Sequence, residues 1–369
     1  MNAPLSTGAS ISRRSLLKVA AAAPALGVTG CAALAETRQG GGSFAGFAQM
    51  QLAYFFFEVE QAAVERATRA LGYHLQSTNA QLDAYVQFQQ IQSMLVKQPA
   101  FIVTDLADSK AMGRVLLRAE RAGVPVAAID TPVLEGRVAL QVFVDNFRCG
   151  QMAAERTVEL LTRKYGRPKG TVLNVYGSLV SFGWRMRKEG WDDVMRRYPD
   201  IRALSRPCEG QEDVARSVTQ QTLSQFPELD AAHGPSDALT RGVLNALRGT
   251  GKAYPIGDPR HVILTSIDGE PQSIGWLRDR LLDAEISQDP VAYGEVAVEL
   301  LQRYSIHGRP IPLGTYSNPD KYYWGQAEIV DHPNGPWLST PPFFVDSSNM
   351  DDPRMWANKV QAEWGMVQR

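Results

Sequence analysis

Short apolar runs alternate with longer amphipathic stretches along most of this chain, from residue 50 to about residue 306. The apolar run 100–104 precedes an amphipathic stretch at 109–122 that ends at Gly123, and the next apolar run is 125–129. Short apolar runs are typical of buried parallel strands, and amphipathic stretches are typical of the helices that cover them. The pattern therefore predicts an α/β fold, and a length of 369 residues is sufficient for two lobes with separate cores.

The apolar runs define the predicted strands. Those in the first half of the chain are 52–55, 73–77, 100–104, 125–129 and 137–143. Those in the second half are 170–176, 201–204, 229–233, 262–267 and 283–287. Residues up to about 47 are expected to lie outside the fold.

Composition argues against several classes of protein. The chain has 38 basic and 39 acidic residues, so its net charge gives no attraction to nucleic acid. It lacks the GxxxxGKS and GxxxxGKT phosphate loops, a GxGxxG motif between a strand and a helix, and the GxSxG motif of serine hydrolases. Cys31, Cys149 and Cys208 include no CxxC pair, which removes support for a zinc or redox site. The sequence predicts no metal and no cofactor, and it leaves open whether Cys149 and Cys208 pair.

The N-terminus has the features of a targeting segment. Arg13 and Arg14 precede an uncharged, alanine-rich run at 19–30, as in a twin-arginine export signal. The alternative is a basic N-terminal helix of a cytosolic protein, but the run is apolar and too short to span a bilayer. The sequence therefore predicts export.

Two cleavage sites remain open. Residues 28–31 resemble a lipobox, which would leave Cys31 attached to lipid, and residues 33–35 form an ordinary signal-peptidase site. Either site gives an export signal at 1–35, followed by a glycine-rich flexible tether at 36–48. The mature protein is expected in the periplasm, either soluble or lipid-anchored.

Polar and aromatic side chains follow several of the predicted strands. Ligands bind at the carboxyl ends of the strands in open parallel sheets. Aromatic rings can stack on the C–H faces of a sugar, while carboxylates, amides and arginine can hydrogen-bond its hydroxyl groups. Each residue alone is also typical of a helix cap or a core ring, but the set together predicts a binding site. The candidate residues are Phe55, Phe56, Asp105, Asp130, Arg187, Ser236, Asp268 and Gln288.

The order of these segments resembles that of the periplasmic sugar-binding proteins of the ribose and galactose type, over about residues 50–311. The matching features are Phe55-Phe56, the run 105–109, Val124-Pro125-Val126 before Asp130, Asp145-Asn146, Arg187 three residues before Gly190, Ser236-Asp237, the run 267–269, and Gln288 before Pro290. The resemblance implies a periplasmic binding protein of type I, with two Rossmann-like lobes of parallel strands joined by a three-stranded hinge. It also implies that the candidate residues contact the ligand.

The same resemblance implies how the chain divides. Lobe 1 is expected at 49–145 plus about 289–315, and lobe 2 at 146–288 plus about 316–340. Residues 341–369 are expected to form a C-terminal tail packed on the lobes, with its tryptophans in packing positions.

A protein of this type is the solute-binding component of an ABC importer. It is expected to be a monomer that captures a sugar or polyol and delivers it to a permease in the inner membrane, and not to be an enzyme. One alternative is a sensor that presents the ligand to a chemoreceptor or histidine kinase. A further alternative is an exported glycoside hydrolase that uses two of Asp105, Asp130 and Asp268 as acid and base.

Several positions depart from the ribose-type pattern. Ala53, Asp105 and Ser236 stand where asparagine is usual, Thr131 stands where arginine is common, and no aromatic residue lies near Gly210, so that Phe182 or Trp184 is the candidate for the missing ring. These changes argue against ribose itself. Three carboxylates with one arginine also leave open a ligand with an amine, because a buried carboxylate favours a nearby positive charge.

Overall fold

The computed structural model describes residues 44–368, which form two α/β lobes. The predicted export signal, both cleavage sites and Cys31 lie outside the described residues. Within the described part of the chain, no helix combines the length and the apolar character needed to cross a membrane. Cys149 and Cys208 are both buried and are not bonded to each other.

An eight-stranded sheet forms the centre of lobe 1. Its strands lie in the order β11 (Gly314–Ser317), β12 (Gln326–Val330), β13 (Trp337–Thr340), β5 (Leu140–Val144), β4 (Val126–Ile129), β3 (Ile102–Asp105), β1 (Phe44–Gln49) and β2 (His74–Asn79). The strands from β13 to β2 are parallel, and β11 and β12 are antiparallel additions at one edge. The helices of this lobe are α1 (Phe55–Ala70), α2 (Ala84–Val96), α3 (Gly113–Arg121) and α9 (Pro290–Arg303).

A six-stranded sheet forms the centre of lobe 2. Its strands lie in the order β14 (Phe343–Val345), β10 (Ala284–Ser287), β9 (Ile263–Asp268), β8 (Ala231–His233), β6 (Gly170–Tyr176) and β7 (Ile201–Pro207). All neighbours are parallel except β14, which is antiparallel to β10. The helices of this lobe are α4 (Asn146–Tyr165), α5 (Phe182–Met195), α6 (Glu212–Gln225), α7 (Asp237–Gly249) and α8 (Pro271–Arg278), and the C-terminal α10 is Trp356–Trp364.

The backbone passes between the lobes three times, as expected for a three-stranded hinge. The crossings lie between β5 and α4, between β10 and α9, and between β13 and β14. β5, β10 and β13 each lead into a crossing from the carboxyl end of the strand. The hinge therefore lies at the sheet edge that carries the residues following the strands.

The strand predicted at 52–55 is wrong. β1 at Phe44–Gln49 occupies the inner position in the sheet, and Phe55 is the first residue of α1. The fold consequently begins within the predicted tether. β1 contains two alanines, one glycine and no β-branched residue, so its strand propensity is low. Packing requires that composition, because a Cβ at Gly46 would lie 2.8 Å from the sulfur of Met94.

The other predicted strands overlap observed ones, but the expected place of residues 316–340 is wrong. β11, β12 and β13 extend the sheet of lobe 1, and β13 pairs in parallel with β5. Only the short strand β14 joins lobe 2. A strand pattern predicts that residues pair in a sheet, but the available edge decides which sheet they join.

Candidate functional site

A cavity of about 50 Å³ lies between the lobes at the carboxyl ends of the strands. Its walls come from both lobes and from the hinge. The lining residues are Met50, Tyr54, Phe56, Phe57, Asp130, Asn146, Ser181, Gly183, Trp184, Arg187, Ser236, Ala238, Asp268, Glu270 and Gln288. Six of the predicted site residues are among them, while Phe55 and Asp105 are not.

Aromatic rings from both lobes line the cavity. Phe56 and Phe57, in the first turn of α1, meet edge to face with 5.5 Å between their ring centroids. Trp184 of α5 packs on Gly210, where a Cβ would lie 2.1 Å from the tryptophan ring and where φ is +74°. Only glycine fits beneath this ring, because a side chain at Gly210 would both clash and strain the backbone. Trp184 thus supplies an aromatic ring beside Gly210.

Two further aromatic residues connect the lobes around the cavity. Tyr54 precedes α1, and its hydroxyl donates a hydrogen bond of 2.7 Å across the lobes to the carbonyl oxygen of Gly210. Phe55 points away from the cavity and stacks on Trp356 of α10, with ring centroids 6.4 Å apart. Trp356 also donates from Nε1 to the carbonyl oxygen of Asp268 at 3.0 Å. The predicted tail therefore contacts both lobes directly behind the cavity.

Arg187 is the centre of the hydrogen-bond network in lobe 2 and is only 5% exposed. Its Nε donates to Oδ1 of Asn146 at 2.8 Å, and its Nη1 donates to the Pro235 carbonyl at 2.5 Å and to Oδ1 of Asp268 at 3.2 Å. Gln288 Nε2 also donates to Oδ1 of Asp268 at 2.6 Å. Burial raises the pKa of Asp268 to about 7, against the opposing effect of the arginine. These side chains are held in place by one another.

Ser236 has two roles in the structure. Its hydroxyl oxygen accepts a hydrogen bond of 3.3 Å from the Leu239 backbone N–H, which caps α7, and the residue also lines the cavity. A capping residue at the start of a helix that follows a strand necessarily lies at the carboxyl edge of the sheet. The capping and binding interpretations of such a residue are therefore compatible.

Further carboxylates lie behind Asp268. Asp237 accepts hydrogen bonds from the Ser266 hydroxyl at 2.5 Å and from the Glu270 backbone N–H at 2.7 Å. Glu285 accepts from the Gly269 N–H at 3.0 Å. Burial, together with the neighbouring Asp237, raises the pKa of Glu270 and of Glu285 well above the usual range.

Lobe 1 contributes a second group of carboxylates, which we term the lobe 1 trio: Glu60, Asp105 and Asp130. Asp130 follows β4 and lines the cavity, whereas Asp105 ends β3 and is fully buried beside it. Neither carboxylate oxygen of Asp105 has a hydrogen-bond partner of good geometry within the described residues. Burial raises the pKa of Asp105, and the nearby Thr131 and the Leu106 backbone N–H act in the opposite direction. Glu60 of α1 is also fully buried and accepts from Gln49 Nε2 at 3.1 Å.

Sequence reasoning missed Glu60 because it lies within a helix rather than after a strand. One signal was available: it follows Phe56 by four residues, and residues with this spacing share a helix face. The face of α1 that carries Phe56 toward the site therefore also carries a glutamate.

The chain is similar to known proteins over most of its length. The family model for the periplasmic binding protein domain matches residues 20–309. The ribose import binding protein of Salmonella typhimurium is 25% identical over 249 residues, which cover 68% of this chain and 80% of that protein. The xylitol-binding protein of Mycolicibacterium smegmatis is 25% identical over 239 residues, or 63% of this chain and 66% of that protein.

A solved structure shows the same fold. It is a carbohydrate transporter solute-binding protein from Agrobacterium radiobacter in complex with D-arabinose, with a TM-score of 0.71 and 18% sequence identity. The alignment covers 85% of this chain and 97% of that protein.

Proposed function

The chain belongs to the periplasmic binding protein family, and on this basis we propose that it captures a sugar or polyol between its lobes and delivers it to the permease of an ABC importer. The observation that carries the proposal is the cavity between the lobes, because both lobes contribute aromatic rings and polar groups to its walls. Relatives bear the names of ribose and xylitol binding proteins, which supports this class of ligand.

The cavity walls match the chemistry of a polyhydroxylated ligand. Phe56, Phe57 and Trp184 present apolar rings that can cover C–H groups. Asp130 and Ser236 present oxygen atoms that can accept or exchange hydrogen bonds with hydroxyl groups. Because Arg187 and its partners are already fixed by hydrogen bonds, little further ordering of these side chains is required on binding.

The two-lobed arrangement also allows a bound ligand to change the conformation of the protein. Opening at the hinge would separate Tyr54 from Gly210 and would expose both walls of the cavity to water. A ligand that contacts both walls binds the closed form better than the open form, and it therefore shifts the equilibrium toward closure. The closed form is the form that we propose to be presented to the permease.

We propose that the protein acts in the periplasm as a monomer, after removal of the export signal predicted at 1–35. The family to which it belongs supports this location. The proposal does not depend on lipid attachment at Cys31.

A thermal-shift screen of the chain from about residue 36 tests the proposed function. The ligands are pentoses, hexoses, deoxysugars, polyols and inositols. A ligand at one hundred times its Kd stabilises the folded state by about 2.7 kcal/mol, which should give a clear rise in Tm. Each ligand that raises Tm is then measured by isothermal titration calorimetry, and the bound sugar is recovered and analysed.

We expect the recovered ligand to be chemically unchanged. A response to none of these ligands would contradict the proposal. Hydrolysis of a bound glycoside, lost in the Asp130→Asn variant, would favour the glycosidase alternative instead.

A further inference from the structure

The charges around the cavity do not balance. Asp130, Asp268 and Glu270 line it, and Arg187 is the basic residue among the described lining residues. The guanidinium of Arg187 is directed to Asp268 in lobe 2, with which it forms an ion pair of 3.2 Å. Asp130, on the opposite lobe, is left without that contact.

The lobe 1 trio makes this imbalance larger. Glu60 and Asp105 are both fully buried, and one oxygen of Glu60 and both oxygens of Asp105 have no hydrogen-bond partner in residues 44–368. A buried polar atom without a partner is unfavourable by about 1–3 kcal/mol. Asp130 is the member of the trio that lines the cavity, so a positive charge placed there by a ligand would act on all three carboxyl groups.

A metal ion does not fit this description. Among the described residues, no group of three or more His, Cys, Asp or Glu side chains is arranged to hold one. An organic ammonium group is less restrictive in its binding geometry than a metal ion, because it requires neither short distances nor a fixed coordination number. It is also attracted to the faces of aromatic rings, and Tyr54, Phe56, Phe57 and Trp184 line the same cavity.

We propose that the natural ligand is a polyhydroxylated amine, an amino sugar or amino polyol, whose ammonium group binds at Asp130 with Asp105 and Glu60 as the charges behind it. This inference rests on the proposed function, since it keeps the same cavity and the same hydroxyl contacts and adds one positive charge to the ligand. The lobe 1 trio then determines specificity for the amine, while the Arg187 network of lobe 2 holds hydroxyl groups.

The affinity for an amine should depend on pH because of the titratable groups in and around the trio. Burial and the neighbouring carboxylates raise the pKa of Glu60 and of Asp105, and burial raises the pKa of Asp130 against the effect of Arg187. Tyr293 also faces Asp130. An ammonium group favours the ionised carboxylates, so its binding lowers these pKa values and releases protons. Affinity for the amine should therefore rise with pH through the range in which the trio titrates in the free protein, and it should fall at higher pH when the amine itself loses its proton.

Titration calorimetry with matched ligand pairs tests the proposal. The pairs are D-glucosamine with D-glucose, D-galactosamine with D-galactose, and 1-amino-1-deoxy-D-glucitol with D-glucitol. We expect the amino member of at least one pair to bind about tenfold or more tightly than the neutral member. Titration in two buffers with different ionisation enthalpies should show proton release for that amine.

Variants assign the preference to the trio. Asp105→Asn should remove most of the preference for the amine, measured as the ratio of the affinities for the two members of a pair. The matched control is Asp200→Asn, a change at an exposed aspartate in lobe 2 that should leave both affinities unchanged. Asp105→Asn replaces a buried carboxyl group with an amide of the same size and should not lower Tm, and Glu60→Gln provides a second test of the same group.

The possible results are distinct. Equal or tighter binding of the neutral members would overturn the inference and leave sugar or polyol binding intact. A preference for the amine that persists in both Asp105→Asn and Glu60→Gln would also overturn it. No binding of either member of any pair, together with no rise in Tm for any ligand in the thermal-shift screen, would overturn the proposed function itself.

Discussion

Replacing Arg187 by methionine should destabilise the protein in a way that depends on pH. Methionine keeps the apolar part of the side chain and removes the guanidinium, so that Asn146 and the Pro235 carbonyl lose the donation from Arg187. Asp268 loses its ion pair and keeps the hydrogen bonds from Gln288 and from the Asp237 backbone N–H. Removing one partner of a buried ion pair is unfavourable by about 3–5 kcal/mol. With an unfolding entropy of about 2 cal/mol/K per residue, such a loss lowers Tm by several degrees for a chain of this size.

The dependence on pH follows from Asp268. In the folded protein its pKa is raised by burial to about 7, above the unfolded value of 3.8. Such a group contributes stability below its unfolded pKa, and this contribution is lost as pH rises toward the folded pKa. Without Arg187 the pKa of Asp268 in the folded protein is higher, so the decrease in folding stability with rising pH continues above pH 7. The variant should then lose a further ~1.4 kcal/mol per pH unit relative to the wild type.

The assay is thermal unfolding of both proteins without ligand from pH 5.5 to pH 8.5. We expect the difference in Tm to be smallest near pH 6, where Asp268 is protonated in both, and to grow by about 3 °C at pH 8.5. The double variant Arg187→Met with Asp268→Asn is the control and should lack this growth. A difference in Tm that is constant across the range would refute the reasoning, because Asp268 would then not be the group that titrates.

Substitutions at three other positions test separate features. Tyr54→Phe removes one hydrogen bond between the lobes and should weaken ligand binding by about two- to tenfold, measured by calorimetry, with little change in the Tm of the free protein. Trp356→Phe should have a similar effect on binding, whereas Trp356→Ala should also lower the unfolding free energy by about 3–5 kcal/mol in a denaturant titration. Gly150→Ala should strongly destabilise the protein, because a Cβ there would lie 2.0 Å from the backbone oxygen of Arg187. Gly275→Ala is its control in a helix with open space, and it should stabilise by about 0.5–1 kcal/mol.

The candidate site could be predicted in large part because of one geometric rule. Asp130 and Asp268 follow parallel strands directly, and the carboxyl ends of such strands lie at one edge of the sheet. The same rule also selected Asp105 as a site residue, but its side chain is fully buried at that edge of the sheet. The rule gives the position of the backbone, whereas the direction of the side chain depends on the neighbouring elements.

Phe55 and Phe56 also show that the sequence gives the position of the backbone but not the direction of the side chain. Both rings begin α1, and the sequence does not distinguish them. Phe56 lines the cavity, while Phe55 stacks on a tryptophan about three hundred residues later in the chain. Trp356 of α10 contacts both rings, and only the tertiary structure shows that Phe56 also reaches the cavity.

The sequence by itself determined the strand and helix order between β2 and α9 and the type of chemistry at the strand ends, because these depend on local periodicity and on the geometry of parallel sheets. The tertiary structure alone decided three other properties. It placed residues 314–340 on the sheet of lobe 1, it made β1 a strand despite its low propensity, and it brought Glu60, Asp105 and Asp130 together. These outcomes depend on contacts between segments far apart in the chain. The free energy of ionising a buried carboxyl group depends on its neighbours in space, and these neighbours cannot be inferred from local sequence patterns.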